Sequence, residues 1–168
     1  MFLNLLSKSM DSGQAAKAHP AYVEIIKQMS SFDAEVATTL LRKQQWEIAE
    51  FRLSNVDGSY SVVYKNVLPS SGSTRRYSET LEVQHALNNL ERLGLIQITY
   101  AIWTQSEAAY NWTKDHAYYK NLEALAELSK KSPLVGKGLI VVSDLGLQFG
   151  EIVGLWKVGL VTTKIKPQ

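Results

Sequence analysis

The sequence predicts one α+β chain, mainly helical, and three observations carry that prediction. Apolar residues recur at helical spacing through most of the first fifty positions. A well-specified helix over 78–93 runs directly into a β-branched stretch, and a second apolar run, Leu139-Ile140-Val141-Val142, ends at a capping Ser143. With 168 residues, 45% hydrophobic and 20% charged, the chain is long enough to bury a core as a single domain. A helical part of about 1–50 is expected to precede a second part of about 51–168.

The first helix is read from Phe2, Leu3, Leu5, Leu6 and Met10, broken by Asp11-Ser12-Gly13. Pro20 fits the first turn of a second helix, where its missing N–H would have no intrahelical partner anyway. Val23, Ile26 and Met29 are its expected inner face, and His19 reads as a capping or hinge residue. Ser30 and Ser31 offer caps to a third helix that places Asp33 and Glu35 in its first turn and Val36, Leu40 and Leu41 inside. Asn55, Asp57 and Gly58 then make a turn before the strand formers Tyr60, Val62, Val63 and Tyr64, which together predict a small hairpin or edge strand.

Pro69 to Ser73 is a loop. In the next helix Ser78 is the expected cap, Glu79 and Glu82 lie in the first turn, and Val83, Ala86, Leu87 and Leu90 follow the apolar spacing. Gly94 is expected to end it in the left-handed conformation, folding Leu95 back towards Leu90 before a strand from Leu95 to Trp103. The aromatic-rich middle, with Tyr110, Trp112, Tyr118 and Tyr119, leads to a helix carrying Leu122, Leu125 and Leu128 and reads as an insertion. Gly136 and Gly138 read as turn residues, Ser143 caps a helix with Leu145, Phe149 and Val153, and Trp156 to Ile165 fits a last strand.

Composition narrows the functional classes. Cysteine is absent, which removes disulfides, thiolate catalysis and sulfur-built zinc sites. His19, His85 and His116 are too far apart to form a paired metal motif, so no metal or cofactor is expected. Acidic residues are scattered singly, and Gly136-Lys137-Gly138 is too short for a phosphate loop, so an enzyme is not expected. No apolar run approaches the roughly 18–20 residues of a membrane span. The opening segment lacks a basic region, and the expected location is the cytoplasm. Net charge is +2; from Lys130 onward six lysines meet two acids, while Met1 to Ser129 carries twelve bases and fourteen acids. A solvated tail is the simpler reading of that surplus.

Leu90-Glu91-Arg92-Leu93-Gly94-Leu95-Ile96 and Val142-Ser143-Asp144-Leu145-Gly146-Leu147-Gln148-Phe149 have the pattern of a winged-helix-like domain. In that arrangement a capped helix is followed by a β wing, here with a helical insertion in the wing. The chain as a whole resembles the bacterial abortive-infection alpha family, which is linked to phage resistance. The resemblance rests on Phe2-Leu3-Asn4-Leu5-Leu6 with Met10-Asp11, and on His19 through Ser30 with Asp33-Ala34 behind it. Asn89 through Ile96 and Ser143 through Phe149 complete it. It implies a defence role and no catalytic residue set. Relatives carry a further region before the Phe-x-x-Leu-Leu helix, at which this chain begins.

Two modes of action follow. The first is a non-enzymatic phage-defence protein that binds a host or phage protein through aromatic residues such as Trp103, Tyr110, Trp112 and Tyr119, with self-association as a further option. For most of these aromatics a place in the core is the simpler expectation. The alternative is a winged-helix nucleic-acid-binding or regulatory protein. It would read bases with Gln84, Asn88 and Arg92 and hold phosphates with Arg75, Arg76, Lys130, Lys131 and Lys137. Glu79, Glu82 and Glu91 on the same helix oppose phosphate.

Overall fold

The computed structural model describes residues 20–70, 72–74 and 81–155. Expectations for the Phe2 helix, His19, Ser78, Glu79 and the Trp156 strand lie outside them. Helices α1 (Pro20–Lys27) and α2 (Ser31–Leu40) precede the hairpin strands β1 (Gln45–Ser54) and β2 (Tyr60–Val67). Helix α3 (Leu81–Arg92) leads to β3 (Ile96–Thr99), and a 3₁₀ turn at Glu107–Tyr110 opens the segment holding α4 (Trp112–Asp115) and α5 (Ala117–Ser129). Strand β4 (Ser132–Val142) and α6 (Asp144–Ile152) complete the order.

The four strands form one antiparallel sheet in the order β2-β1-β4-β3. This overturns the winged-helix-like and mainly helical expectation while leaving the α+β class in place. Ile96 to Thr99 does pair with Leu139 to Val142. Yet β4 is an eleven-residue interior strand, matched to β1 in unbroken register from Gln45↔Val141 to Ser54↔Ser132, and not one arm of a projecting wing. β1 itself starts at Gln45, inside the stretch read as helical, and Gly136 and Gly138 are mid-strand residues with no turn to make. Local periodicity does not show these strands because the apolar positions of β1 change phase between Ile48 and Ala49, which face different cores, and the inner half of β4 is one continuous apolar run.

One sheet face carries Trp46 and Ile48 of β1 with Ile140 and Val142 of β4, and packs beneath α1, α2, α3 and α6. The opposite face carries Ala49 and Phe51, packed with Val67 and Leu122 of α5. Ser30 and Asp33 form a reciprocal capping box on α2: Asp33 N donates to Ser30 Oγ at 3.0 Å, and Ser30 N donates to Asp33 Oδ2 at 2.8 Å. The inner face of α1 is Tyr22 and Ile25, while Val23, Ile26 and Met29 are only partly buried. In α5, Leu122 and Ala126 are inside and Leu125 and Leu128 are exposed, contrary to the expected apolar row.

Gly94 ends α3 as expected. At φ +75°, it lets Leu95 N donate to Leu90 O at 3.0 Å and donates its own N–H to Glu91 O at 2.9 Å. Ser143 Oγ accepts from Gly146 N at 2.9 Å and donates to Gly94 O at 2.5 Å, so one side chain ties the end of α3 to the start of α6. Gly146 seats that helix: a Cβ there would stand 2.1 Å from Leu95 O. Gly138 has a similar role in β4, since its missing Cβ leaves the space taken by the Tyr100 ring and Thr99 O.

Gly94→Val is expected to cost about 1–3 kcal/mol because a β-branched residue resists positive φ, and thermal melting checks it. An unchanged melting temperature would remove Gly94 from the cap. Gly138→Ala is expected to cost about 1–3 kcal/mol by overpacking, a fall of roughly 2–4 °C per kcal/mol in a chain of this size. Burial also pushes the Tyr100 phenol above the ordinary tyrosine value, more than the hydrogen bond from the Asn66 N–H lowers it. A raised folded-state pKa gives stability that is complete below about pH 10 and is lost as pH rises beyond it. The alkaline fall in melting temperature is therefore expected to be shallower in Tyr100→Phe.

Candidate functional site

Cross-strand register assembles a second surface on the helix-covered face, beyond the reach of α1, α2, α3 and α6. Arg52 pairs with Val62 of β2 on one side and Leu134 of β4 on the other, and Ser54 pairs with Tyr60 and Ser132 in the next row. Directly opposed residues share a face, as do residues two apart on one strand, so Tyr60, Val62 and Leu134 surround Arg52. All three are open to solvent, at 51%, 44% and 44% exposure.

The Arg52 side chain is held from three directions. Its guanidinium carbon lies 4.3 Å from the centroid of the Tyr60 ring, an arrangement that favours the cation. Its Nε donates to Glu50 Oε1 at 2.6 Å, and its Nη2 is ion-paired with the same oxygen. Gly136 forms the floor, since a Cβ at that position would lie 2.6–2.8 Å from the guanidinium atoms. Glu50, only 6% exposed, is thus a buried carboxylate whose charge is matched by an arginine fixed in place.

A polar bar separates this surface from the apolar core. Tyr100, just beyond β3, lies across Gly138 of β4 and reaches β2 on the far side of the sheet. Its hydroxyl accepts from Asn66 N at 3.1 Å and donates to Asn66 Oδ1 at 3.0 Å, with Ala49 O at 3.5 Å. Asn66 has φ +56°, and the β1–β2 register shifts between Ala49 and Phe51, opposite this part of β2. A left-handed asparagine in a bulge presents both its amide and its side chain to one hydroxyl.

Of the residues expected to bind nucleic acid, those described lie on α3, just after α5 and on β4. Arg75 and Arg76 lie outside the described residues. Gln84 is half-buried and Asn88 exposed on α3, while Arg92 is committed to its neighbours, donating to Asn89 Oδ1 from Nε (3.1 Å) and Nη2 (2.8 Å) and to Gln28 Oε1 (3.0 Å). Asn89, passed over in the sequence, in turn donates to Asp33 Oδ2 at 2.9 Å and Gln28 O at 3.1 Å, so this part of α3 is joined to α1 and α2. Lys130 and Lys131 follow α5 across the sheet from α3 and line an open groove together with Glu123 and Glu127. Lys137 is ion-paired with Glu107 at 2.7 Å.

Of the four aromatics considered for partner contact, Trp103 is exposed. Tyr110 is buried with its hydroxyl donating to Gly138 O at 2.8 Å, and Trp112 and Tyr119 pack in the smaller core. Among the described residues no group of three or more His, Asp and Glu could hold a metal ion, and no helix is long and apolar enough to cross a membrane. The surface around Arg52 is not among the sites read from the sequence. The signal for it was period-two alternation, Trp46-x-Ile48-x-Glu50-x-Arg52 facing Tyr60-x-Val62, with Gly136-x-Gly138 inside a strand.

No curated protein matches the chain. Among solved structures it is similar to an uncharacterized protein from the hydrocarbon-degrading marine bacterium Alcanivorax borkumensis SK2. That chain is 13% identical, covers 85% of this chain and 97% of its own length, and gives a TM-score of 0.45, a likeness too distant to carry an argument. The family comparison is direct: abortive infection alpha matches residues 1–153, the whole of the chain but its last fifteen residues. The chain belongs to the abortive infection alpha family.

Proposed function

We propose that the chain acts in phage defence by binding a protein of the host or the phage, with no catalysis of its own. One observation carries this reading: Tyr60, Val62 and Leu134 stay exposed as a contiguous patch around an arginine that is already oriented. Tyrosine and arginine dominate interface hot spots, and a side chain fixed before contact loses little further entropy on binding. The distribution of basic side chains favours a protein over nucleic acid. Arg92 and Lys137 have partners within the chain, and Lys130 and Lys131 share their groove with two acids. A phosphate-binding face needs cations clustered on one side.

The experiment is phage challenge of cells producing the full chain, scoring phage yield and host survival, with Tyr60→Ser and Leu134→Ser combined as the test variant. Both positions are exposed, so the variant is expected to melt within about 2 °C of the parent, as surface changes usually do. Loss of protection by a folded variant is the expected result. Full protection by that variant, or duplex DNA binding with a steep salt dependence lost on removing Lys130 and Lys131, would overturn the reading.

A further inference from the structure

The chemistry of the bound segment follows from the state of Arg52. A guanidinium has five N–H donors, and Glu50 takes two, from Nε and Nη2. Nη1 and the second N–H of Nη2 have no acceptor among the described residues, and the Arg52 side chain retains 21% exposure. The charge, however, is already matched, because the Glu50 carboxylate bonds the Nε–Nη2 edge of the guanidinium. A second carboxylate brought to Nη1 would give up its hydration and meet the Glu50 charge behind the guanidinium. A neutral carbonyl oxygen accepts the same N–H groups without that repulsion.

Apolar exposure on both flanks completes the pattern. Val62 and Leu134 stand directly across from Arg52 on the neighbouring strands, and Tyr60 covers one face of the guanidinium. We propose that this surface takes an uncharged apolar peptide segment of the partner, its main-chain carbonyl oxygens on the free N–H groups of Arg52 and its apolar side chains against Tyr60, Val62 and Leu134. The proposal rests on the binding role stated above and adds the chemistry of what is bound: a neutral segment matched to a neutral ion pair.

Two probes differing by one charge test it on the full chain: N-acetylleucine N-methylamide, which has two amide carbonyls, and N-acetylleucine, which ends in a carboxylate. Each is titrated while NMR follows the Arg52 Nε–H signal and the Val62 and Leu134 methyl groups. The amide is expected to shift all three and to bind at least about threefold more tightly than the acid. Its affinity is expected to hold between about 50 and 500 mM salt, where screening would weaken a charge-driven contact. Tighter binding of the carboxylate, or no shift with either probe, overturns the neutral-segment inference. So does a concentration-dependent dimer, seen by light scattering, that moves the same signals without a probe. Phage protection decides the binding role separately. Protection lost in Tyr60→Ser with Leu134→Ser while both probes fail removes only the chemistry of the segment. Protection retained while the amide binds removes the role and leaves the chemistry.

Discussion

Two glycines in the interior strand β4 set the conditions under which the rest of the sheet works. Any side chain at 138 would collide with the Tyr100 ring, and any at 136 would collide with the Arg52 guanidinium. Since β4 is paired with β1 on one side and β3 on the other, it cannot move away from Thr99 O and Tyr100 without breaking a ladder, whereas a Cβ at 136 would displace the Arg52 guanidinium from its seat. The glycines therefore serve their neighbours: each leaves a channel across the strand for a long side chain from the next one. Neither glycine is at positive φ, so close approach, and not backbone conformation, accounts for them.

From that arrangement one sheet face acquires two characters. Towards Trp46, Ile48, Ile140 and Val142 it is apolar and covered by helices, and the hydrophobic effect holds α1, α2, α3 and α6 against it. Beyond Tyr100 the same face holds a part-buried ion pair flanked by exposed apolar groups. A buried carboxylate–guanidinium pair contributes little net stability, since its desolvation offsets its attraction. Glu50 and Arg52 are better explained by what they orient. The two sheet edges differ: Ile98 N on β3 donates to Glu91 Oε1 at 2.8 Å, whereas β2 leaves Tyr60 and Val62 open.

Membership of the abortive infection alpha family points to phage defence, and the surface around Arg52 is the binding site we propose for that role. Among the described residues, Arg92, Lys130, Lys131 and Lys137 each have an acid or an amide beside them. Glu107 engages Lys137, Glu123 and Glu127 accompany Lys130 and Lys131, and Gln28 and Asn89 hold Arg92. On the opposite face, Phe51, Tyr119 and His116 stack edge to face, and Tyr64 lies flat on Tyr118 at 4.6 Å, so the aromatic-rich middle of the chain is spent on cohesion.

The sequence by itself determined the features that depend on a few adjacent residues. The Ser30 cap, the apolar face of α3, the left-handed Gly94 and the Ser143 cap are local hydrogen-bond and steric conditions, met by residues within one or two turns of each other. The family resemblance was legible for the same reason, being carried by short contiguous blocks. What the tertiary structure alone decided was the sheet. β1 had to find β4 about eighty residues away, and its alternation changes phase at Ile48–Ala49, where adjacent apolar residues face opposite cores. With the sheet unseen, Gly136 and Gly138 read as turn residues and nothing along the chain singles out Arg52. Cross-strand register is a long-range property: it set Val62 and Leu134 beside Arg52 and laid Tyr100 over Gly138, and no spacing along the chain encodes which residues of separate strands will stand opposite one another.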